Sequence, residues 1–156
     1  MKRRLGVVVV AAAIGAIGVA VGVSAQRAAP AASAGDSLFA ALAGKNEVEP
    51  KGDRDGRGSF AATFDGGTLC FGMTVKNITT PAAAHIHRGA AGKNGDVVIT
   101  LDIPAGGDPG SIADCVNVPK ALRKAILKRP ARFYVNVHTP DFPNGAVRGQ
   151  LFAKKP

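Results

Sequence analysis

The chain has 156 residues, 20 Lys and Arg against 11 Asp and Glu, a formal charge of +9, a single Tyr and no Trp. That length suits one folded domain with one core and is too short for two. Arg54, Arg57, Lys76, Arg88, Lys93, Arg123, Lys124, Lys128 and Arg132 read as scattered, with no basic stripe and no interleaved aromatics, which argues against nucleic acid as a partner.

Residues 1–25 read as an address. Lys2, Arg3 and Arg4 precede an apolar stretch from Leu5 to Val23, and Val23-Ser24-Ala25 supplies the small residues of a signal-peptide cleavage site after Ala25. The apolar stretch is long for a signal, so an uncleaved membrane anchor is the competing reading. Cleavage leaves 17 cations against 11 acids, a charge of about +6. Residues 26–36 then form a flexible leader, and a single domain over 37–153 follows in a secreted or extracytoplasmic setting.

Along that domain the patterns are mostly those of strands. "SLFAAL" (37–42) opens, and "KNEVEPKGDRDGRG" (45–58) is a polar connector. "SFAATF" (59–64) and "TLCFGMTV" (68–75) flank the hairpin turn "DGG". "ITTPAAAHIH" leads through the loop "RGAAGKNG" to "DVVITLDI" (96–103), and "PAGGDPGS" is another loop. In "VPKALRKAILKRP" (118–130), Val118, Ala121, Leu122, Ala125 and Ile126 have helical spacing, with Pro119 suited to the first turn and Pro130 as the stop. "ARFYVNVHT" (131–139) and "GAVRGQLFA" (145–153) close the chain as a hairpin. Short strands at regular spacing with Gly and Pro turns predict an all-β, antiparallel Greek-key-like sandwich or barrel with one short helix.

Export settles the reading of the cysteines. There are two, Cys70 and Cys115, so an oxidising compartment predicts a single structural disulfide between them. A redox-active pair is the alternative, but it lacks the C-x-x-C spacing.

The blocks "FAALAGKNEVEP", "AAAHIHRGAAGKNGDVVITL" and "FYVNVHTPDFPNGAVRGQL", in this order, make the chain resemble the CHRD domain, named after chordin and found in many bacterial secreted proteins. The resemblance covers about residues 37 to 152. It implies a β-rich, Greek-key-like sandwich and no established catalytic activity. In chordin-like proteins the module accompanies separate growth-factor-binding modules, so growth-factor antagonism does not carry over. The family pattern has an acid before the last Arg, as in "GEIRGQL". This chain has Ala146 there, which removes a carboxylate from beside His138.

His85 and His87 stand two apart on a strand and therefore share a face, opposite Ile86. On the next-to-last strand Phe133, Val135 and Val137 fall on the core face, while Tyr134, Asn136 and His138 fall on the other. If the last two strands pair, Asn136, His138, Arg148 and Gln150 form one polar patch that His85 and His87 can join.

Three readings of that patch stand open. Three imidazoles from two strands suit copper or zinc, making His85, His87 and His138 candidate ligands. A His-x-His pair on a Greek-key sandwich also resembles the copper pair of Cu/Zn superoxide dismutases, but no bridging His and no zinc-loop ligand set accompany it, so dismutase activity is not expected. In the second reading His, Asn, Arg and Gln form a structural network stitching loops to the sheet, with no cofactor at all. In the third, exposed Arg88 and Arg148 with the histidines form a recognition surface on the patch that also holds Tyr134, Asn136 and Gln150. Its partner would be unidentified, in the envelope or outside the cell, with weak contact to anionic wall polymers or a membrane surface.

Catalysis finds no foothold. Ser33, Ser37, Ser59 and Ser111 lack an elbow motif and partners. Asp53 and Asp55 in "GDRDGRG" resemble a fragment of a calcium loop, but Arg54 and Arg57 interrupt it and no terminal Glu follows. The expectation is a non-enzymatic binding or structural module, with a histidine-based copper or zinc protein as the alternative.

Overall fold

The computed structural model describes residues 37–153, and the signal segment and leader expected over 1–36 lie outside the described residues. The elements are β1 (Ser37–Ala43), β2 (Arg57–Asp65), β3 (Thr68–Lys76), β4 (Ala83–Arg88), β5 (Val97–Leu101), β6 (Gly110–Asn117), α1 (Lys120–Lys128), β7 (Phe133–His138), β8 (Val147–Gln150) and β9 (Phe152–Ala153). One antiparallel sheet runs β5-β4-β7-β8-β1-β2-β3-β6, with β9 added on β1, and curls into a nearly closed, barrel-like sandwich. Period-two alternation drives this closure. Leu38, Ala40 and Leu42, then Phe60, Ala62 and Phe64, then Leu69, Phe71, Met73 and Val75 all turn to the same buried interior. Apolar burial of this kind is the main force holding the sheet curled.

The "DGG" turn forms as expected, with Asp65 paired to Thr68 and Gly66 at φ +57°. A side chain is strained at that φ, and glycine is not. The helix is shorter than its sequence pattern. It starts after Pro119, ends at Lys128, and Pro130 opens a separate turn of 3-10 helix, Pro130–Arg132. Ile126 is its buried anchor.

β6 corrects the reading of "PAGGDPGS" (104–111) as loop at its last two residues and adds a strand over 112–117, which had no assignment. In "GSIADCVN" exposed Ser111, Ala113, Cys115 and Asn117 alternate with half-buried Ile112, Asp114 and Val116, and the acid in the middle of the inward face interrupts its apolar signal. The strand forms because its backbone completes the ladder of β3 from Thr68↔Asn117 to Val75↔Gly110. Within that ladder Cys70 stands directly opposite Cys115, and the disulfide joins them. The final strand is also split. β8 pairs with β7, Leu151 turns its amide to the Phe133 carbonyl, and β9 moves across to β1.

The expected core face of β7 is confirmed, since Phe133, Val135 and Val137 are all buried. Its opposite face is not open to solvent either. Segments 44–53, 89–95 and 139–145 fold over it, so Tyr134, Asn136 and Arg148 are each only 2% exposed. The candidate site lies under that roof.

Candidate functional site

Strand register brings the histidines together. His87 pairs with Tyr134, His85 with Asn136 and Ala83 with His138, so the three rings lie diagonally across neighbouring positions of one sheet face. Ring centroids are 5.0 Å apart for His85 and His138, 5.5 Å for His85 and His87, and 6.4 Å for His87 and His138. One ring nitrogen from each lies within 4.8 Å of those from the others. Zinc–imidazole bonds of about 2.0–2.1 Å put tetrahedral ligand nitrogens about 3.3 Å apart, so a small contraction brings all three onto one ion. His85 Nδ1 and His138 Nε2 are already 3.1 Å apart.

A backbone carbonyl sets the His87 tautomer, and another lies against His138 Nδ1. His87 Nδ1–H donates to the Gly95 carbonyl at 2.8 Å, and His138 in its Nδ1–H form donates to the Pro143 carbonyl at 2.9 Å. In these forms each Nε2 carries the lone pair that a metal needs. His87 Nε2 is buried and has no hydrogen-bond partner. His138 Nε2 lies 3.1 Å from the Asn136 side-chain oxygen, which accepts from it only in the Nε2–H form, so the two oxygens beside this ring favour opposite tautomers. Burial pushes both His85 and His138 below the usual imidazole range. Repulsion from His138 and His87 adds to the effect at His85. At His138 the Pro143 carbonyl opposes the shift, while His87 reinforces it. Both rings therefore favour the neutral, ligating form.

Arg148 organises the rest. Its guanidinium sits 3.3 Å from the centroid of the Tyr134 ring, and the His87 ring stacks on the same Tyr at 4.7 Å and 5° from parallel. Arg148 donates to the Asn94 side-chain oxygen at 3.1 Å and to the carbonyls of Ala90 at 3.3 Å and Lys93 at 2.6 Å. Gln150 reaches the carbonyls of Gly89, Ala131 and Phe133, and the Gly95 amide donates to the Tyr134 hydroxyl. Loop 89–95 is thus latched by β7 and β8, and the same loop supplies the carbonyl that sets the His87 tautomer.

One acid enters this polar core. Glu47 is 4% exposed, and burial pushes its carboxyl up to about 7, against the charge of Arg148 and a hydrogen bond from Asn136. Asn136 links this acid to His138, since its side chain reaches both. The polar connector around "NEVEP" hid Glu47 from the sequence reading. Its place in the first CHRD-like block was the only signal.

Comparison with known families agrees with this layout. The CHRD domain model matches residues 38–151. The chain belongs to the CHRD domain family. No curated protein and no solved structure matches it at a significant level.

Within this CHRD domain the expected site residues fall into two groups. His85, His87, His138, Tyr134, Asn136, Arg148 and Gln150 share one sheet face, and the last-hairpin register pairs Asn136 with Arg148 and Tyr134 with Gln150. Arg88 does not join them. It is exposed and packs its guanidinium over Phe133 at 5.1 Å, on the other side of β4. The surface reading needed an exposed Arg148 beside the histidines, and Arg148 is buried, with Tyr134 and Asn136, because the loops close over them. Cys70 and Cys115 form the expected disulfide. Among the described residues no helix is long and apolar enough to cross a membrane.

Proposed function

We propose that this CHRD domain works outside the cytoplasm as a non-enzymatic module that binds one copper or zinc ion through His85, His87 and His138. The observation that carries this reading is the buried, unpartnered His87 Nε2, beside two further imidazoles, with its own Nδ1–H held by a backbone carbonyl. Leaving a buried ring nitrogen without a partner costs about 1–3 kcal/mol, and a metal ion removes that cost. Copper(II) is the stronger expected occupant, since nitrogen sites follow the order in which copper exceeds zinc. The disulfide and the N-terminal signal pattern support the extracytoplasmic setting.

The second reading has its own observation. The 3.1 Å approach of His85 Nδ1 to His138 Nε2 also suits a hydrogen bond in a metal-free scaffold. Titration of the purified protein with Cu(II) and Zn(II), beside His85→Ala, His87→Ala and His138→Ala, separates the two. Metal binding predicts one ion per chain at roughly micromolar affinity or better, lost in each variant. A folded wild type that takes up no ion, with variants that melt earlier, assigns the histidines to the scaffold.

A further inference from the structure

The cations that look scattered in sequence converge in space. A cleft of about 520 Å³ lies between the C-terminal end of α1, the following 3-10 turn and loop 88–93. Arg88, Lys93, Lys128, Arg129 and Arg132 line it, all five side chains are exposed, and no acid is among its lining residues. No ion pair joins any of the five to a described acid. Between residues 118 and 140 the chain has six cations and no Asp or Glu. One cation suffices to complement the partial charge at a helix C-terminus. Five, drawn from a strand, a loop, a helix and a turn, repel one another and need another explanation.

We propose that this cleft binds a phosphate-bearing polyanion outside the cell. Three of the five cations are arginines, whose planar forks match phosphate oxygens two at a time. The Arg88 guanidinium is already held against the Phe133 ring, which lowers the entropy lost on binding. The volume falls in the range of small-molecule and oligomer sites. A bilayer fits less well: the surface is concave, and the exposed large apolar residues, Val97, Ile103 and Phe152, are not among its lining. Nucleic acid fits less well too, because the one aromatic residue lining the cleft, Phe133, is buried and offers no stacking platform. The site is independent of the histidine cluster and stands whether or not that cluster holds metal.

Calorimetric titration of the purified, metal-free protein with inorganic tripolyphosphate tests it, against Arg129→Glu/Arg132→Glu, Lys93→Glu/Lys128→Glu and a charge-matched control. The control, Lys120→Glu/Lys124→Glu, alters two exposed lysines of the same helix that do not line the cleft. The expected result is saturable binding that weakens with salt, with a loss of about tenfold or more in the cleft variants and a small change in the control. Using two cleft variants keeps the test open if one fails to fold. Equal losses in cleft and control variants would reduce the effect to net charge and overturn the site. So would no binding of tripolyphosphate, or binding only to vesicles containing anionic lipid.

Discussion

Arg148 stacks on Tyr134 at 3.3 Å while all but 2% of its surface is hidden, so a permanent cation lies in the centre of the polar face of the sheet. It is tolerable there because the loop carbonyls, an Asn oxygen, an aromatic face and a nearby acid share the charge. Burial lowers the Arg148 pKa, while Tyr134 and Glu47 oppose that shift. This arrangement makes the latch over loop 89–95 depend on one side chain.

Arg148→Lys should therefore be far from conservative. Lys keeps the charge but cannot span three acceptors and stack at once. We expect a loss of about 2–4 kcal/mol in urea unfolding, with faster amide exchange at Lys93 and Gly95 than in the core strands. A loss below about 0.5 kcal/mol with unchanged exchange would remove the latch role.

Glu47 should give the protein a pH-dependent stability. Its folded pKa of about 7 exceeds the ordinary 4.5, so the folded state binds the extra proton between those values. The stabilisation from that proton is complete below pH 4.5 and is lost as the pH rises through about 7. The full span amounts to about 3 kcal/mol. Glu47→Gln, which keeps the shape and a polar contact to Asn136, should flatten stability over this window and exceed wild type at pH 8. Parallel denaturation curves of both proteins from pH 4 to 8 check this, and identical pH profiles would contradict it.

Gly145 should tolerate no side chain while Glu47 is present. Its φ of +136° is one that L residues rarely adopt, and a Cβ there would run into the Glu47 carboxylate. Gly145→Ala should cost about 2–3 kcal/mol. In a Glu47→Ala background the steric part should vanish and the backbone part remain, giving a coupling of about 1 kcal/mol or more in a double-mutant cycle. Strict additivity would show that the two residues do not meet.

The disulfide closes a sequence separation of 45 residues and pins β6 to β3. Replacing Cys70 and Cys115 with Ala should cost about 4 kcal/mol in the chain-entropy model. The first structure to loosen should be β6, which among the described residues has β3 as its only neighbouring strand in the sheet. Hydrogen exchange on this variant reads this directly, as early exposure of 110–117 before the β4–β7–β8 region.

The sequence by itself determined the all-β class, the β2–β3 hairpin, the disulfide and the family. Alternation, turn residues, a lone cysteine pair and the His-x-His and "VNVHT" blocks are local signals, and each survives in the fold because it reports directly on a strand face or a turn. It also placed Tyr134, Asn136, His138, Arg148 and Gln150 correctly on one face, because a strand fixes which side chains are neighbours. What it could not decide was what covers that face. Tertiary structure alone folded three loops over it, buried Arg148, brought Glu47 in from the far connector and left His87 Nε2 without a partner. The same distinction applies to charge: cations from 88–93 and from 128–132, far apart along the chain, become one cleft once α1 packs beside the loop after β4. Strand periodicity is encoded within a few residues, whereas burial and electrostatic grouping depend on segments distant in the chain meeting in space.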